Sequence, residues 1–159
     1  MTLSRKRFVL GLLALPVMAL WGCGAPPPPP TVVDIAVAAA ANANPDGAGR
    51  AAPVAVRIYQ LASSAAFDKA DFFLLYERDT EVLGADLMGK DELVLAPGTS
   101  QTLHKELKLG TTAIGVIATF RDVQNSTWRG TVVPPQNQTS PITVSVDGLN
   151  LTVTLGPPQ

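Results

Sequence analysis

The sequence predicts an all-β fold, a two-sheet antiparallel β-sandwich with one short added helix. Seven or eight segments alternate apolar and polar residues with the period of two that β-strands require. Turn-forming sequences separate these segments, and a single segment changes to helical spacing. The same pattern also fits a closed barrel, so that alternative stays open.

The first two strands and the loop between them are predicted within residues 31–61. Residues 31–38 place three β-branched side chains on one face, and residues 53–61 repeat that alternation. Between them, residues 41–52 are rich in small and turn-forming residues. A connection of this length is usually functional or mobile, so the loop is a candidate site.

Residues 63–78 follow helical spacing and form the predicted helix, with Asp68 placed to cap its first turn. Three of the five phenylalanines fall here, at Phe67, Phe72 and Phe73. Aromatic residues at this density usually seal one edge of a core. An exposed aromatic docking patch is the alternative, although most large apolar side chains are buried.

Four further strands are predicted after the helix. The first ends at the Pro-Gly turn of residues 97–98, and the second, residues 103–109, has one polar face that carries His104. Residues 114–121 are apolar on both sides, which predicts a central strand. The last of the four, residues 128–133, stops at two prolines.

A hairpin follows, with Asp147 and Gly148 predicted as its two-residue turn. Apolar residues alternate on both sides of that turn, so each is expected to face another across the hairpin. The predicted pairs are Val146 with Leu149, Val144 with Leu151, and Ile142 with Val153. A slip by one residue would expose the whole apolar set, which favours this register.

Residues 1–22 have the parts of a secretory signal peptide. A basic start at residues 5–7 precedes an apolar run that is well short of the roughly 18 residues of a spanning helix. The sequence Leu-Trp-Gly-Cys at residues 20–23 resembles the lipobox of bacterial lipoprotein precursors. That resemblance implies cleavage before Cys23 and a lipid on its sulfur. The alternative is that Cys23 is an ordinary thiol within the signal.

Composition bounds the function of the mature chain. Residues 23–31 contain five consecutive prolines and form a predicted linker, a polyproline spacer of roughly 15 Å before a domain of residues 32–159. Loss of residues 1–22 removes three basic residues and no acidic one, leaving 9 basic against 13 acidic residues and a net charge of −4. That balance excludes a nucleic-acid-binding surface and a polybasic membrane surface.

Residue types needed for catalysis or metal binding are scarce. His104 is the only histidine and Cys23 the only cysteine, which excludes an internal disulfide and a metal site built from those residues. The alternation of its strand places His104 on a solvated face. Helix capping or a charged turn explains the acidic pairs within residues 68–71 and 91–92. The sequence therefore predicts no enzyme, no metal site and no cofactor apart from the lipid on Cys23.

Five segments in a fixed order carry a resemblance to a known family. They are Gly49–Leu61, Phe67–Tyr76, Val82–Gly84, Ala118–Asp122 and Trp128–Arg129. Together with the upstream lipobox, they resemble the TssJ (SciN/VasD) family of outer-membrane lipoproteins of the bacterial type VI secretion system. The likeness covers nearly all of the predicted domain.

The resemblance implies a transthyretin-like sandwich, held in the inner leaflet of the outer membrane with its domain in the periplasm. Gly24 agrees with that location, because an aspartate after the lipidated cysteine signals inner-membrane retention. The implied partner is the periplasmic C-terminal region of TssM, within an envelope-spanning complex that includes TssL. The family's contact loop corresponds to residues 41–52. The candidate partner-binding residues are Asn42, Asn44, Pro45, Asp46, Gly47, Gly49 and Arg50.

Two other functions stay open beside this non-catalytic anchor. A small-ligand carrier or envelope enzyme would need a concave pocket with convergent polar groups, for which the sequence gives no sign. A structural lipoprotein of another envelope assembly could share the same sandwich.

Overall fold

The structure is a computed structural model that describes residues 26–157. The predicted signal peptide, residues 1–22, and the predicted lipidation site, Cys23, lie outside the described residues. The described part of the predicted linker is residues 26–31, none of which belongs to a helix or strand; Pro26–Pro30 are exposed and Thr31 is buried.

The described chain forms two four-stranded sheets that share a core, which confirms the predicted sandwich rather than a closed barrel. The strands are β1 (Val32–Ala39), β2 (Val54–Leu61), β3 (Leu87–Leu95), β4 (Ser100–Glu106), β5 (Ala113–Ala118), β6 (Arg129–Val132), β7 (Thr139–Asp147) and β8 (Asn150–Leu155). Sheet A has the order β4-β1-β7-β8, and sheet B has the order β3-β2-β5-β6.

The main core lies between the two sheets and is built from the alternating apolar residues of both. In β1, for example, Val33, Ile35 and Val37 are buried, while Ala36 between them is exposed. Burial of one such aliphatic side chain stabilises the fold by about 1.5–3 kcal/mol. Each strand therefore strongly favours the orientation that turns its apolar side chains towards the core.

A second core lies on the outer face of sheet B, where two helices cover β2 and β5. Its buried residues are Tyr59, Leu61, Phe67, Leu75, Leu83, Ala113 and Ile117. Because β5 is covered on both faces, all six of its residues are buried. This explains its continuous apolar sequence and confirms that it is an internal strand.

The helical segment is longer than predicted and is divided in two. Helix α1 is Ala65–Lys69 and helix α2 is Phe72–Leu83, followed by a 3₁₀ turn at Gly84–Asp86. The cap that the sequence suggested, Asp68, instead accepts hydrogen bonds from the hydroxyls of Ser64 and Thr131. Asp71 caps α2, since its carboxylate accepts the backbone N–H of Phe73 at 2.9 Å.

One strand pairing departs from the predicted antiparallel arrangement. Strands β1 and β7 run parallel, with Ile35 beside Ile142, whereas the other pairings between the described strands are antiparallel. The chain reaches β7 only after passing through sheet B. Apolar alternation specifies the face of a strand but not its direction, so the sequence pattern could not reveal this pair.

The register of the β7–β8 hairpin differs from the prediction by two residues. Asp147 pairs with Asn150, so the turn consists of Gly148 and Leu149. The observed apolar pairs are Val146 with Leu151, Val144 with Val153, and Ile142 with Leu155. Gly148 adopts φ +58°, and glycine at the first turn position is typical of a type II′ turn.

Strand β4 also ends earlier than predicted. Its last residue is Glu106, and Leu107 is buried, but Leu109 lies in the following turn and is 98% exposed. Gly110 follows with φ +93°, which allows the chain to reverse towards β5.

The strand directions place the connecting loops at two opposite ends of the sandwich. The linker end carries Pro26–Thr31, residues 107–112 and residues 133–138. The distal end carries residues 40–53, 96–99 and 119–128, together with the turn between β7 and β8. The predicted linker and the predicted contact loop are therefore at opposite ends of the domain.

Candidate partner-binding end of the sandwich

The β1–β2 loop, residues 40–53, is fixed to the domain by a buried asparagine. Asn44 is 2% exposed and adopts φ +50°. Its side-chain amide donates to the carbonyl of Pro53 at 2.7 Å, and its side-chain oxygen accepts the backbone N–H of Arg121 at 2.8 Å. Its own backbone N–H donates to the carbonyl of Gly148. One residue thus ties together three loops of the distal end.

The tip of the loop is organised by Asp46. Its carboxylate accepts the backbone N–H groups of Ala48 and Arg50, each at 2.9 Å, and pairs with the Arg50 guanidinium at 2.8 Å. The hydrogen bond from the Arg50 backbone, followed by those from Ala48 and the Arg50 side chain, lowers the pKa of Asp46 and outweighs the effect of desolvation. The ionised carboxylate holds the tip in one compact turn.

The seven predicted contact residues divide into exposed and buried positions. Gly47, Gly49 and Arg50 form the exposed tip, while Pro45 and Asp46 are half-buried beside it. Asn42 is exposed, and its amide donates to the carboxylate of Asp147 at 2.7 Å. Asn44 is the exception, because burial leaves its side chain no surface to offer a partner.

A cleft of about 330 Å³ lies beside the loop tip. It is lined by Pro45, Asp46, Gly47, Arg121, Asp122 and Leu149. Arg121, Asp122 and Leu149 are not part of the site predicted from the sequence, since they belong to the β5–β6 and β7–β8 connections. Arg121 and Asp122 are the last two residues of Ala118–Asp122, one of the segments that carry the family resemblance. That resemblance was the sequence signal that could have assigned them to the site. The cleft places one arginine and two carboxylates beside the apolar side chain of Leu149.

A polar network lies under α2, away from the distal end. The Asp79 carboxylate accepts the Tyr59 hydroxyl at 3.2 Å and the Lys90 ammonium at 2.7 Å, with the Arg57 guanidinium 3.8 Å away. Burial by itself would raise the pKa of Asp79, but the hydrogen bond and charge of Lys90 lower it overall. Burial, followed by the charge of Asp79, raises the pKa of Tyr59, so the phenol stays protonated. This network joins α2 to β2 and β3.

The aromatic residues of the helical segment are divided between core and surface. Phe67 is buried, as the sequence predicts, and Phe72 packs edge-on against Trp128. Phe73 and Tyr76 are 55% and 44% exposed, and the Arg57 guanidinium lies over the Tyr76 ring. Phe73 and Tyr76 therefore lie at the surface of α2, whereas Phe67 and Phe72 are buried.

The groups with catalytic potential lie apart from both ends. His104 is exposed, and its Nδ1 lies 2.6 Å from the Asp34 carboxylate, its one hydrogen-bond partner among residues 26–157. The acids Asp91 and Glu92 lie within β3, rather than in a turn, and pair with Lys105 and Arg57. No group of three or more His, Cys, Asp or Glu side chains in the described chain could hold a metal ion. The helices found within it are also too short or too polar to cross a membrane.

The sequence and fold match one family of known proteins. Residues 31–149 match the family model described as type VI secretion lipoprotein (SciN, VasD, EvfM, TssJ). A comparison with curated proteins gave no match.

Three solved structures illustrate the similarity. The type VI secretion lipoprotein TssJ1 from Pseudomonas aeruginosa is 36% identical, with a TM-score of 0.78 over 81% of this chain and 98% of that chain. Serratia marcescens Lip, a membrane-bound component of the type VI secretion system, is 28% identical, with a TM-score of 0.69 over 79% and 96%. A chain in a structure described as the TssM C-terminal domain (869–1107) from EAEC is 31% identical, with a TM-score of 0.63 over 78% and 99%.

The family match extends from the first strand to the final hairpin, and the fold similarity spans nearly the whole of each related structure. This chain belongs to the family of membrane-associated type VI secretion lipoproteins that includes TssJ, SciN and VasD.

Proposed function

We propose that this protein anchors the type VI secretion envelope complex to the outer membrane. Acyl chains on Cys23 hold it in the inner leaflet, and the domain stands in the periplasm. The distal end binds the periplasmic C-terminal region of TssM, which connects it to TssL in the same complex. The role is structural, with no catalysis and no cofactor beyond the covalent lipid.

The observation that carries the proposal is that the proline linker and the loop of residues 40–53 lie at opposite ends of the sandwich. The chain enters β1 from the proline linker and leaves it into the loop of residues 40–53. An eight-residue strand spans about 25 Å, so a partner at the distal end stands clear of the lipid surface. The sandwich thereby transmits load between a membrane attachment and a protein attachment.

The similarity to a chain in the TssM structure supports the choice of partner. The match takes in 78% of 159 residues, about 124 residues, and these account for 99% of the matched chain. The matched chain is therefore about half as long as the TssM segment 869–1107. We infer that it is a separate polypeptide that accompanies the TssM domain, as this protein is proposed to do.

Titration of the TssM C-terminal region against the lipoprotein tests the partner-binding end. Gly47 is exposed, and a Cβ built on it meets no atom within 4 Å, so Gly47→Arg adds a bulky side chain at the tip without disturbing the fold. We expect this variant to weaken TssM binding at least tenfold, measured by calorimetry, because the added side chain occupies the contact surface. Substitution is preferable to deletion of residues 42–49, since Ala43 and Asn44 are buried.

The matched control is Thr152→Arg, which adds the same side chain at an exposed position of β8. Thr152→Arg should bind TssM with wild-type affinity. Equal affinity for Gly47→Arg and the wild type would move the contact to another surface of the domain, and the exposed aromatic residues of α2 would be tested next.

A further inference from the structure

We propose that the turn between β4 and β5 contacts the phospholipid leaflet directly, with Leu109 as the inserting side chain and Val133 as a second apolar side chain at the same end of the domain. This inference rests on the proposed lipid anchor at Cys23. It adds a second, non-covalent membrane contact, which orients the domain on the bilayer surface.

Leu109 is presented to solvent by a turn that is held in place. It is 98% exposed, the highest value among the large hydrophobic side chains of the described chain. The backbone N–H of Lys108 donates to the side-chain oxygen of Gln60 at 3.0 Å, and the N–H of Thr111 donates to the carbonyl of Lys108 at 3.0 Å. The backbone N–H of Thr112 donates a hydrogen bond to the carbonyl of Leu61 at 2.8 Å. A fixed turn that projects a leucine avoids the entropy cost of ordering a loose loop on a surface.

A second exposed aliphatic side chain lies at the same end. Val133 is 67% exposed and follows Val132, which pairs with Ile114 at the start of β5. Val133 begins the connection of residues 133–138, and this connection is tied to the Leu109 turn, since the Gln136 amide donates to the carbonyl of Thr111 at 3.2 Å. Two exposed aliphatic residues therefore project from adjacent connections at the linker end.

The path of the linker brings this end to the membrane. Pro28–Pro30 line a cleft of about 190 Å³ together with residues 106–111, so the linker lies alongside the turn. The carbonyl of Thr31 accepts the backbone N–H of Leu107 at 2.9 Å, which fixes the point where the linker joins β1. Cys23 precedes Pro30 by seven residues, which span at most about 25 Å when extended. An acyl chain on Cys23 thus keeps the turn close to the lipid headgroups.

Charge at this end is compatible with a phospholipid surface but does not dominate the contact. Lys108 is exposed next to Leu109, where its ammonium can lie at the level of the phosphates. Glu106 lines the same cleft and offsets that charge. Insertion of apolar side chains into the interface is therefore the main attraction, and the acyl chains supply durable attachment.

The test places an environment-sensitive fluorophore at single positions of the full-length acylated protein in vesicles of phosphatidylethanolamine and phosphatidylglycerol. Acylation occupies the native thiol, so Leu109→Cys, Val133→Cys or Ala48→Cys each supplies the one reactive thiol. We expect shorter-wavelength emission and quenching by spin-labelled lipid at positions 109 and 133. A probe at position 48, which is exposed at the distal end, should keep the longer-wavelength emission of a solvated fluorophore and should not be quenched by spin-labelled lipid.

A variant without a probe at the inserting position checks that the fluorophore does not drive the result. Val133→Cys is labelled in a Leu109→Asp background, in which the fully exposed position tolerates the charge. We expect loss of the lipid quenching at position 133.

Three outcomes would overturn the inference. If the protein stays on the vesicles but the probe at position 109 is solvated, the turn does not contact lipid, and the proposed anchor is unaffected. Shorter-wavelength emission without lipid quenching would assign the surface to a second copy of the chain. Failure of the protein to remain with the vesicles would overturn both the anchor and this inference.

Discussion

Asn44 separates two roles that a polar loop residue can have. The sequence places it among candidate contact residues, because asparagine is common both in binding loops and in turns. The structure buries it and uses its amide to join three loops of the distal end. In the proposed partner binding, Asn44 therefore acts indirectly, through the shape of the loop.

Asn44→Ala is expected to lower the free energy of unfolding by about 2–4 kcal/mol. The change leaves the Pro53 carbonyl and the Arg121 N–H without their partner, and alanine is disfavoured at φ +50°. Asn44→Gly removes the same hydrogen bonds without the backbone strain, so it should cost about 1 kcal/mol less. Urea denaturation measures the loss in both variants. The control is Asn42→Ala at an exposed position, which should lower the free energy of unfolding by less than about 1 kcal/mol. Equal losses for Asn42→Ala and Asn44→Ala would contradict the structural role.

Asp79→Asn is expected to destabilise the protein at pH 7 by about 1–3 kcal/mol, because Lys90 and Tyr59 lose a charged acceptor. The pKa of Asp79 in the folded protein lies below its ordinary value of 3.8. Its ionisation therefore stabilises the fold above about pH 4, and this contribution is lost as the pH falls through the lower, folded pKa. The difference in free energy of unfolding between the wild type and Asp79→Asn should therefore shrink towards zero as the pH falls below the folded pKa.

Denaturation midpoints between pH 2 and 7 measure that difference. Glu81→Gln is the matched control, since Glu81 is an exposed acid on the same helix. Its effect should be small and nearly independent of pH. A constant penalty for Asp79→Asn across the acid range would show that packing, rather than charge, carries the contribution.

The β7–β8 hairpin shows which property of an element the sequence determines. Apolar alternation identifies both strands and their buried faces correctly. A two-residue shift in pairing preserves those faces, because side chains repeat with a period of two. Only the turn distinguishes the two registers, and the chain forms it at Gly148–Leu149 rather than at Asp147–Gly148. Strand positions were therefore predictable from the pattern, whereas their pairing depended on the turn.

The helical segment depends on a close approach to β5. A Cβ on Gly115 would lie 2.8 Å from the Phe67 ring and 3.0 Å from Leu61. Gly115→Ala should displace α1 and lower the free energy of unfolding by about 1–3 kcal/mol, measured by urea denaturation. Gly47→Ala is the control, since it meets no neighbour and should change stability by less than about 0.5 kcal/mol.

A double variant tests the cause of that loss. Phe67→Leu shortens the side chain that faces Gly115, so combining it with Gly115→Ala should cost less than the sum of the two single changes. Additive losses would show that the new methyl group acts through β5 itself and not through α1.

At the level of the whole molecule, the fold and the loop were predictable, but the composition of the distal end was not. The candidate site in the sequence is one continuous segment, residues 41–52. In the structure, Arg121, Asp122 and Leu149 join it from two other connections. Residues far apart in sequence meet there because strand directions alternate along the chain and because the parallel pair β1–β7 forms the centre of sheet A. Such proximity follows from topology, which strand periodicity does not encode.

The two ends of the molecule should therefore fail independently. In cells, Cys23→Ser should leave TssM binding unchanged in pull-down but release the protein from the outer-membrane fraction, because it removes the proposed site of acylation and with it the proposed attachment. Gly47→Arg should do the reverse: it remains in the outer-membrane fraction and loses TssM. Both variants should abolish type VI secretion, since load must pass through the complete chain of contacts, whereas Thr152→Arg should secrete normally. Full secretion by Cys23→Ser would contradict the anchoring role, and full secretion by Gly47→Arg would contradict the assignment of the distal end.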